Sequence, residues 1–204
     1  MANPRRPPSN PSAKTPPAPR YVSRGGLKLR GALDDFGADV AGKTCLDVGS
    51  STGGFTDCLL QAGARSVWCV DVGYGLLDYN LRKDPRVRVL ERTNFRLLDP
   101  ALLDSERPSI TTIDVSFISL GKILPKVFEL LPADGQVIAL IKPQFEGTPK
   151  EAPGGFVKDE AVRRRILERV RALIEAAGFK IRSVSDSKVK GRKGNQETFF
   201  YLFK

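Results

Sequence analysis

Thr44-Cys45-Leu46-Asp47-Val48-Gly49-Ser50-Ser51-Thr52-Gly53-Gly54-Phe55-Thr56 is the stretch on which the fold turns. An apolar, strand-like run ends in a turn of small residues, and that turn opens directly into a helix-like run from Phe55 to Gly63. Strand, turn and helix in this order put the turn's backbone N–H groups and a helix N-terminus at the carboxyl edge of a sheet, the usual ligand crevice of an open α/β fold. The dinucleotide fingerprint G-x-G-x-x-G is broken, because Ser51 stands where its second glycine belongs. A pyrophosphate needs close backbone approach at that position, so a nicotinamide or flavin dinucleotide fits poorly.

Outward from this stretch, apolar runs alternate with amphipathic ones. Strands are expected at Ser66 to Val72, Val87 to Leu90, Ile110 to Ile113, Val137 to Ile141, Lys180 to Val184 and Gln196 to Phe203. Helices are expected from about Lys28 to Phe36, with Leu29, Leu33 and Phe36 packing inward, and from Leu120 to Leu131. A third opens at Asp159 and Glu160 and stops at Gly178. Glu146 to Gly155, rich in Gly and Pro, reads as a mobile loop. The Arg163-Arg164-Arg165 run reads as a solvated outer face. Alternating elements imply a parallel, doubly wound sheet with helices on both faces. The last two strands have no room for a crossover helix between them, so they are antiparallel.

Composition narrows the chemistry. The chain has 204 residues, enough for one core-building domain, and a net charge of +10 that favours a polyanionic partner. Residues 1–20 are proline-rich, basic and nearly free of apolar side chains, the pattern of a disordered arm, leaving 21–204 as the folded domain. No run approaches the roughly 20 apolar residues of a membrane span, and the N-terminus has no apolar signal region. The three cysteines, Cys45, Cys58 and Cys69, lie at no metal-ligand spacing and read as buried reduced thiols of a cytoplasmic protein. Histidine is absent, which removes the commonest general base and any His-containing metal site.

Asp47, Asp71, Asp114 and Lys142 each fall at the carboxyl end of an expected parallel strand, so all four share one sheet edge. The final strand runs the opposite way and begins at that edge, which brings in Glu197, and Lys28 reaches it from the first helix. Two lysines and two carboxylates make a proton-transfer site without histidine. Asp71 lies close to the offset at which an acid bonds ribose hydroxyls, and Tyr74 beyond it offers a ring to an adenine.

Asp47-Val48-Gly49-x-x-x-Gly53 resembles the S-adenosylmethionine loop of Rossmann-like methyltransferases. Six segments, taken in order, extend that likeness: Ser23 to Leu29, Asp47 to Thr56, Glu91 to Asn94, Asp114 to Leu120, Lys142 to Glu146 and Gly194 to Glu197. Together they resemble the TlyA (hemolysin A) family of FtsJ-like ribosomal RNA 2′-O-methyltransferases. The resemblance implies a seven-stranded sheet with an antiparallel last strand, S-adenosylmethionine as cofactor, and a cytidine ribose of ribosomal RNA or ribosomal subunits as acceptor. It implies a catalytic tetrad of Lys28, Asp114, Lys142 and Glu197. Lys142 would be the base, Asp114 and Glu197 would position the lysines, and Lys28 would hold the ribose or a phosphate. It further implies a cofactor site of Asp47, Gly49, Ser50, Ser51, Thr52, Gly53, Gly54, Phe55 and Thr56. Asp71 would serve the ribose hydroxyls, and Val72 and Asn94 the adenine. Such proteins carry an N-terminal α-L-type RNA-binding domain, where this chain has its proline-rich arm. Two other readings stand beside this one, a membrane-active hemolysin and a non-catalytic RNA-binding relic of the fold. The first lacks a spanning segment in the sequence, and the intact tetrad argues against the second.

Overall fold

The computed structural model of the protein describes residues 20–103 and 107–204. The expected arm over residues 1–20 lies outside the described residues apart from Arg20. Seven strands, β1 (Thr44–Val48), β2 (Ser66–Val70), β3 (Val87–Leu90), β4 (Ile110–Ile113), β5 (Gln136–Ile141), β6 (Lys180–Asp186) and β7 (Thr198–Phe203), form one sheet in the order β3-β2-β1-β4-β5-β7-β6. The first five pair in parallel, and β7 is antiparallel to both its neighbours, β5 and β6. From β1 the chain steps outward to β2 and β3, then returns to β4 and steps the other way. The reversal leaves a crevice between the carboxyl ends of β1 and β4.

Among the described residues six α-helices cover the sheet: α1 (Arg24–Phe36), α2 (Gly54–Gln61), α3 (Tyr79–Lys83), α4 (Leu124–Leu130), α5 (Pro143–Glu146) and α6 (Glu160–Ala176). Strand alternation sends Leu46 and Val48 to one face, against Leu124 and Val127 of α4 and Val170 and Ile174 of α6. Cys45 goes to the other, among Leu29 and Leu33 of α1 and Phe55 and Leu59 of α2. Phe36 is half-buried and stacks on Tyr201 at 5.3 Å. All three cysteines are buried and unpaired, and burial pushes the Cys45 and Cys58 thiols up to about 12. Among the described residues no helix is long and apolar enough to cross a membrane.

Several elements differ from the sequence expectation. The helix expected over Leu120 to Leu131 is split into a 3₁₀ turn, Leu120–Lys122, and α4, because Pro125 has no N–H to continue a ladder and instead serves at the opening of a new helix. The second strand stops at Val70, which leaves Asp71 and Val72 beyond its end. Glu146 to Gly155 is not an open loop. Glu146 closes α5, Glu151 is gripped by Arg169 and by Thr148, and Ala152 is buried. Those bonds hold the Glu151 carboxyl down at about 2. Of the arginine run, Arg163 is not an outer-face residue. It donates to Glu160, Asp186 and Thr198 and ties α6 to β6 and β7, while Arg164 stays at the surface. Gly178, at φ 89, follows the C-cap of α6 as expected.

Candidate active site

The turn after β1 is built by its backbone. Gly49 and Ser50 donate to the carbonyl of Val70 on β2, and Gly53 donates back to Ser50 at 2.8 Å. Gly49 and Gly53 hold positive φ, 83° and 93°, and Ser51 joins them at 48°. The side chain of Asp71 fixes that unusual Ser51, with Oδ2 accepting from the Ser51 N–H at 2.8 Å and Oδ1 from the Gly73 N–H at 2.7 Å. Gly53 caps α2 without a side-chain hydrogen bond; the Thr56 N–H is turned to the Asp47 carboxyl beneath, which leaves those of Gly54 and Phe55 without a cap.

Asp47 and Thr56 lie beneath the turn rather than in its mouth. Both are fully buried; the Thr56 hydroxyl donates to Asp47 Oδ2 at 2.7 Å, and the Thr112 hydroxyl donates to Oδ1 at 3.0 Å. Burial pushes the Asp47 carboxyl up to about 7; the two hydroxyls oppose that rise, and the charge of Asp114 adds to it. A carboxyl whose folded value lies above its unfolded one stabilises the fold fully below pH 3.8 and loses that contribution as pH rises through 7. Asp47→Asn is therefore expected to gain on the wild type by about 1.4 kcal/mol per pH unit across that window. Urea unfolding of both proteins at pH 5 and pH 8 measures the gap, and a gap that does not widen with pH defeats the expectation.

The four residues at the sheet edge form two ion pairs in one cavity. Lys28 Nζ lies 2.5 Å from Glu197 Oε2, with both side chains largely buried. Lys142 Nζ lies 2.6 Å from Asp114 Oδ1 and donates to Ser116 Oγ at 2.9 Å. Pro143 opens α5 and keeps Lys142 extended at ψ 99°, which sets the direction of its side chain. The turn between β6 and β7 lies close over Glu197, where a Cβ on Gly191 would fall 2.1 Å from Oε1. The cavity measures about 540 Å³, an ordinary size for a small-molecule site.

Gly49, Ser50, Ser51, Thr52, Gly54 and Phe55 line the same cavity as the four charged residues. Asp47, Gly53, Thr56, Asp71, Val72 and Asn94 do not. Asp71 braces the turn from outside and Val72 is exposed. Asn94 caps a short turn after β3 with its side chain on the Arg96 N–H, next to Thr93, whose N–H donates to the Asp71 carbonyl. Tyr74 is exposed beside them with the Arg92 guanidinium 4.1 Å from its ring centre. Ser116, Phe117, Gln144, Arg24 and Arg192 also line the cavity, and no sequence pattern assigns them a role. Ser116 and Gln144 had one legible signal, since each lies two residues beyond a charged strand-end position.

The donor set fits S-adenosylmethionine at the turn after β1. The uncapped helix start accepts a carboxylate, the closely packed glycines admit a backbone-hugging ligand, and Asp71 stands at the next strand end. Among the described residues no group of side chains could hold a metal ion.

A model of the FtsJ-like methyltransferase family matches residues 21–204. The chain is 45% identical over 183 residues to the 16S/23S rRNA (cytidine-2′-O)-methyltransferase TlyA of Mycobacterium tuberculosis, covering 89% of this chain and 68% of that one. It spans about two thirds of the length of such curated relatives. A crystal structure from Lactococcus lactis that carries the hemolysin name superposes with a TM-score of 0.88 at 48% identity, covering 91% of this chain and 89% of the other. An S-adenosylmethionine-dependent methyltransferase from Aquifex aeolicus shares the fold alone, with a TM-score of 0.61 at 18% identity, covering 88% and 92%. Sheet order, strand-end turn and sequence agree, and the chain belongs to the FtsJ-like methyltransferase family.

Proposed function

We propose that residues 21–204 are the catalytic domain of an S-adenosylmethionine-dependent methyltransferase that modifies the 2′-hydroxyl of a cytidine in ribosomal RNA. The observation that carries the reading is the pair of lysine–carboxylate contacts, one buried and one half-buried, facing the turn after β1 across a single cavity. Gly49 to Thr52, Gly54 and Phe55 would hold the cofactor's amino-acid end, with Asp71 bracing the Ser51 N–H behind that turn. When bound, the cofactor supplies a methyl group on a sulfonium.

The chain's own part is to hold the ribose hydroxyl and take its proton. Lys142 Nζ has three substituent directions besides its carbon. Ser116 Oγ takes one of them as a hydrogen bond and the Asp114 carboxylate lies against the amine as an ion pair, which leaves Nζ a direction toward the cavity. For Lys142 to act as base the amine must first give up its own proton; one hydrogen would then stay on Ser116 Oγ, beside the Asp114 carboxylate, and the lone pair would face the hydroxyl. The 2′-hydroxyl proton would pass to Nζ as the oxygen takes the methyl group that the cofactor would supply, the carbon–sulfur bond breaking to leave a neutral thioether. Lys28, held by Glu197, places a second cation beside the oxygen or a neighbouring phosphate. Arg24 and Arg192 stand exposed at the rim with no carboxylate partner among the described residues, so they attract the phosphates on either side. A ribosomal substrate implies work in the cytoplasm.

The direct test uses ribosomal subunits from cells lacking the protein, incubated with it and methyl-labelled cofactor, followed by mapping of modified riboses. A 2′-O-methylcytidine that appears only with the protein supports the reading. Label on a base, or no transfer, overturns it.

A further inference from the structure

The cavity holds one polar atom that neither the tetrad nor the cofactor turn employs. Gln144 sits two residues past Lys142 on the same turn and lines the same wall, yet its Oε1 is buried and has no hydrogen-bond partner among the described residues. Buried polar atoms are nearly always paired, and an acceptor left without a donor weakens the fold that contains it. Packing does not call for such a group here, because Phe145, the next residue, already closes on Phe117 at 4.8 Å. Its position also separates it from the cofactor. The turn that would hold S-adenosylmethionine follows β1, whereas Gln144 follows β5, two strands away and on the far side of β4. A donor that satisfies Gln144 therefore belongs to the acceptor substrate.

We propose that Gln144 reads the base of the target nucleotide by accepting a hydrogen bond from the exocyclic amine of cytosine. This rests on the ribose-methylation reading above. Cytosine carries an N4 amine, a donor, at the edge where uracil carries the O4 acceptor, so an acceptor in the wall favours the first and repels the second. Rotation about the last torsion of glutamine is soft and brings the carboxamide oxygen into the cavity; with Nε2 turned inward instead, the same side chain would donate to uracil O4, so the preference for cytosine requires the oxygen to be the inward atom. A site built around such a group discriminates strongly against a substrate that leaves it unpaired. Gln144 thus acts on which nucleotide is modified, and Lys142 on how the proton leaves.

The test compares kcat/KM on subunits carrying the mapped cytidine with kcat/KM on subunits in which that nucleotide is changed to uridine. Taking the ratio cancels any loss common to both substrates, including one caused by disturbing the neighbouring Lys142. Wild-type protein is expected to favour cytidine. Gln144→Leu, which removes the acceptor, should lower the ratio about tenfold or more. Gln144→Glu can only accept and should keep it, whatever its overall rate. Gln144→Met supplies the same readout if the leucine variant does not fold. Methylation by the leucine or methionine variant with an unchanged ratio, loss of the ratio in Gln144→Glu, or equal use of both nucleotides by the wild type overturns the role of Gln144 alone. Absence of ribose methylation by the wild type overturns the underlying reading and this one with it.

Discussion

Lys142→Ala is expected to slow methyl transfer by roughly a hundredfold to ten-thousandfold, the range a positioned general base supplies, while leaving cofactor binding close to that of the wild type. The two effects separate because of where the residue sits. Lys142 ends β5, and the turn that would hold the cofactor belongs to β1, with β4 between them. The substitution removes the amine from Asp114 and Ser116, but both acceptors remain at the rim of a water-accessible cavity and are resolvated.

Lys142→Arg sharpens the test. Arginine keeps the positive charge and the ability to pair with Asp114, yet its guanidinium does not give up a proton under ordinary conditions. If Lys142 serves as the base, the arginine variant is as slow as the alanine one. If it serves only as a cation that orients the hydroxyl, arginine retains much of the rate. Single-turnover methyl transfer measures the chemical step, and calorimetric titration with the cofactor measures binding. Rates within about threefold of wild type for both variants would remove Lys142 from proton transfer.

Much of this site was legible because strand ends are legible. An apolar run that stops at Asp114 or Lys142 fixes the side of the sheet on which that charge appears, and parallel strands gather such residues on one edge. The pairing of Lys28 with Glu197 follows from the same logic, since a reversed last strand begins where its neighbours end. Other features depend on which way a side chain points, and spacing carries no record of that. Asp47 reads as a strand-end residue of the cofactor site, but its side chain is buried beneath the turn, where Thr112 on the neighbouring β4 closes over it. Ser116 looks like a loop serine until Lys142, 26 residues later, turns its amine to it. Arg163 differs from Arg164 only by about 100° of helix rotation, yet that rotation carries it to Asp186 and Thr198. The anchoring of Glu151 by Arg169 likewise joins two segments whose local composition gives no hint of contact. The break at Pro125 is of a different kind, for its signal was present in the sequence and a continuous apolar stripe obscured it.

Gly49→Ala is expected to damage stability and catalysis together, because Gly49 is the point where the cofactor turn touches the catalytic strand end. Its φ of 83° is a conformation in which a Cβ is strained, costing about 1–2 kcal/mol. The added methyl would also fall 2.7 Å from the backbone oxygen of Asp114 and 3.1 Å from its carbonyl carbon. Neither of those atoms is the free end of a flexible side chain. Asp114 is held in turn by its N–H on the carbonyl of Val48 at 3.0 Å, the bond that fixes the end of β4 against β1. Relief therefore requires the two strand ends to part, and overpacking of this kind adds about 1–3 kcal/mol to the strain. As they part, Asp114 carries its contact with Lys142 away from the turn. Cofactor affinity and the rate of transfer should both fall, unlike the Lys142 variants, in which only the rate falls. Gly42→Ala isolates the strain. Gly42 also holds a positive φ, 69°, but a Cβ there meets nothing within 4 Å, and it precedes β1 at the opposite edge of the sheet. That variant should lose stability through strain alone and transfer methyl groups at the wild-type rate. Urea unfolding, cofactor titration and single-turnover transfer on the two alanine variants provide the comparison. Equal stability loss and equal activity would show that the contact between Gly49 and Asp114 does not couple the cofactor turn to the catalytic pair.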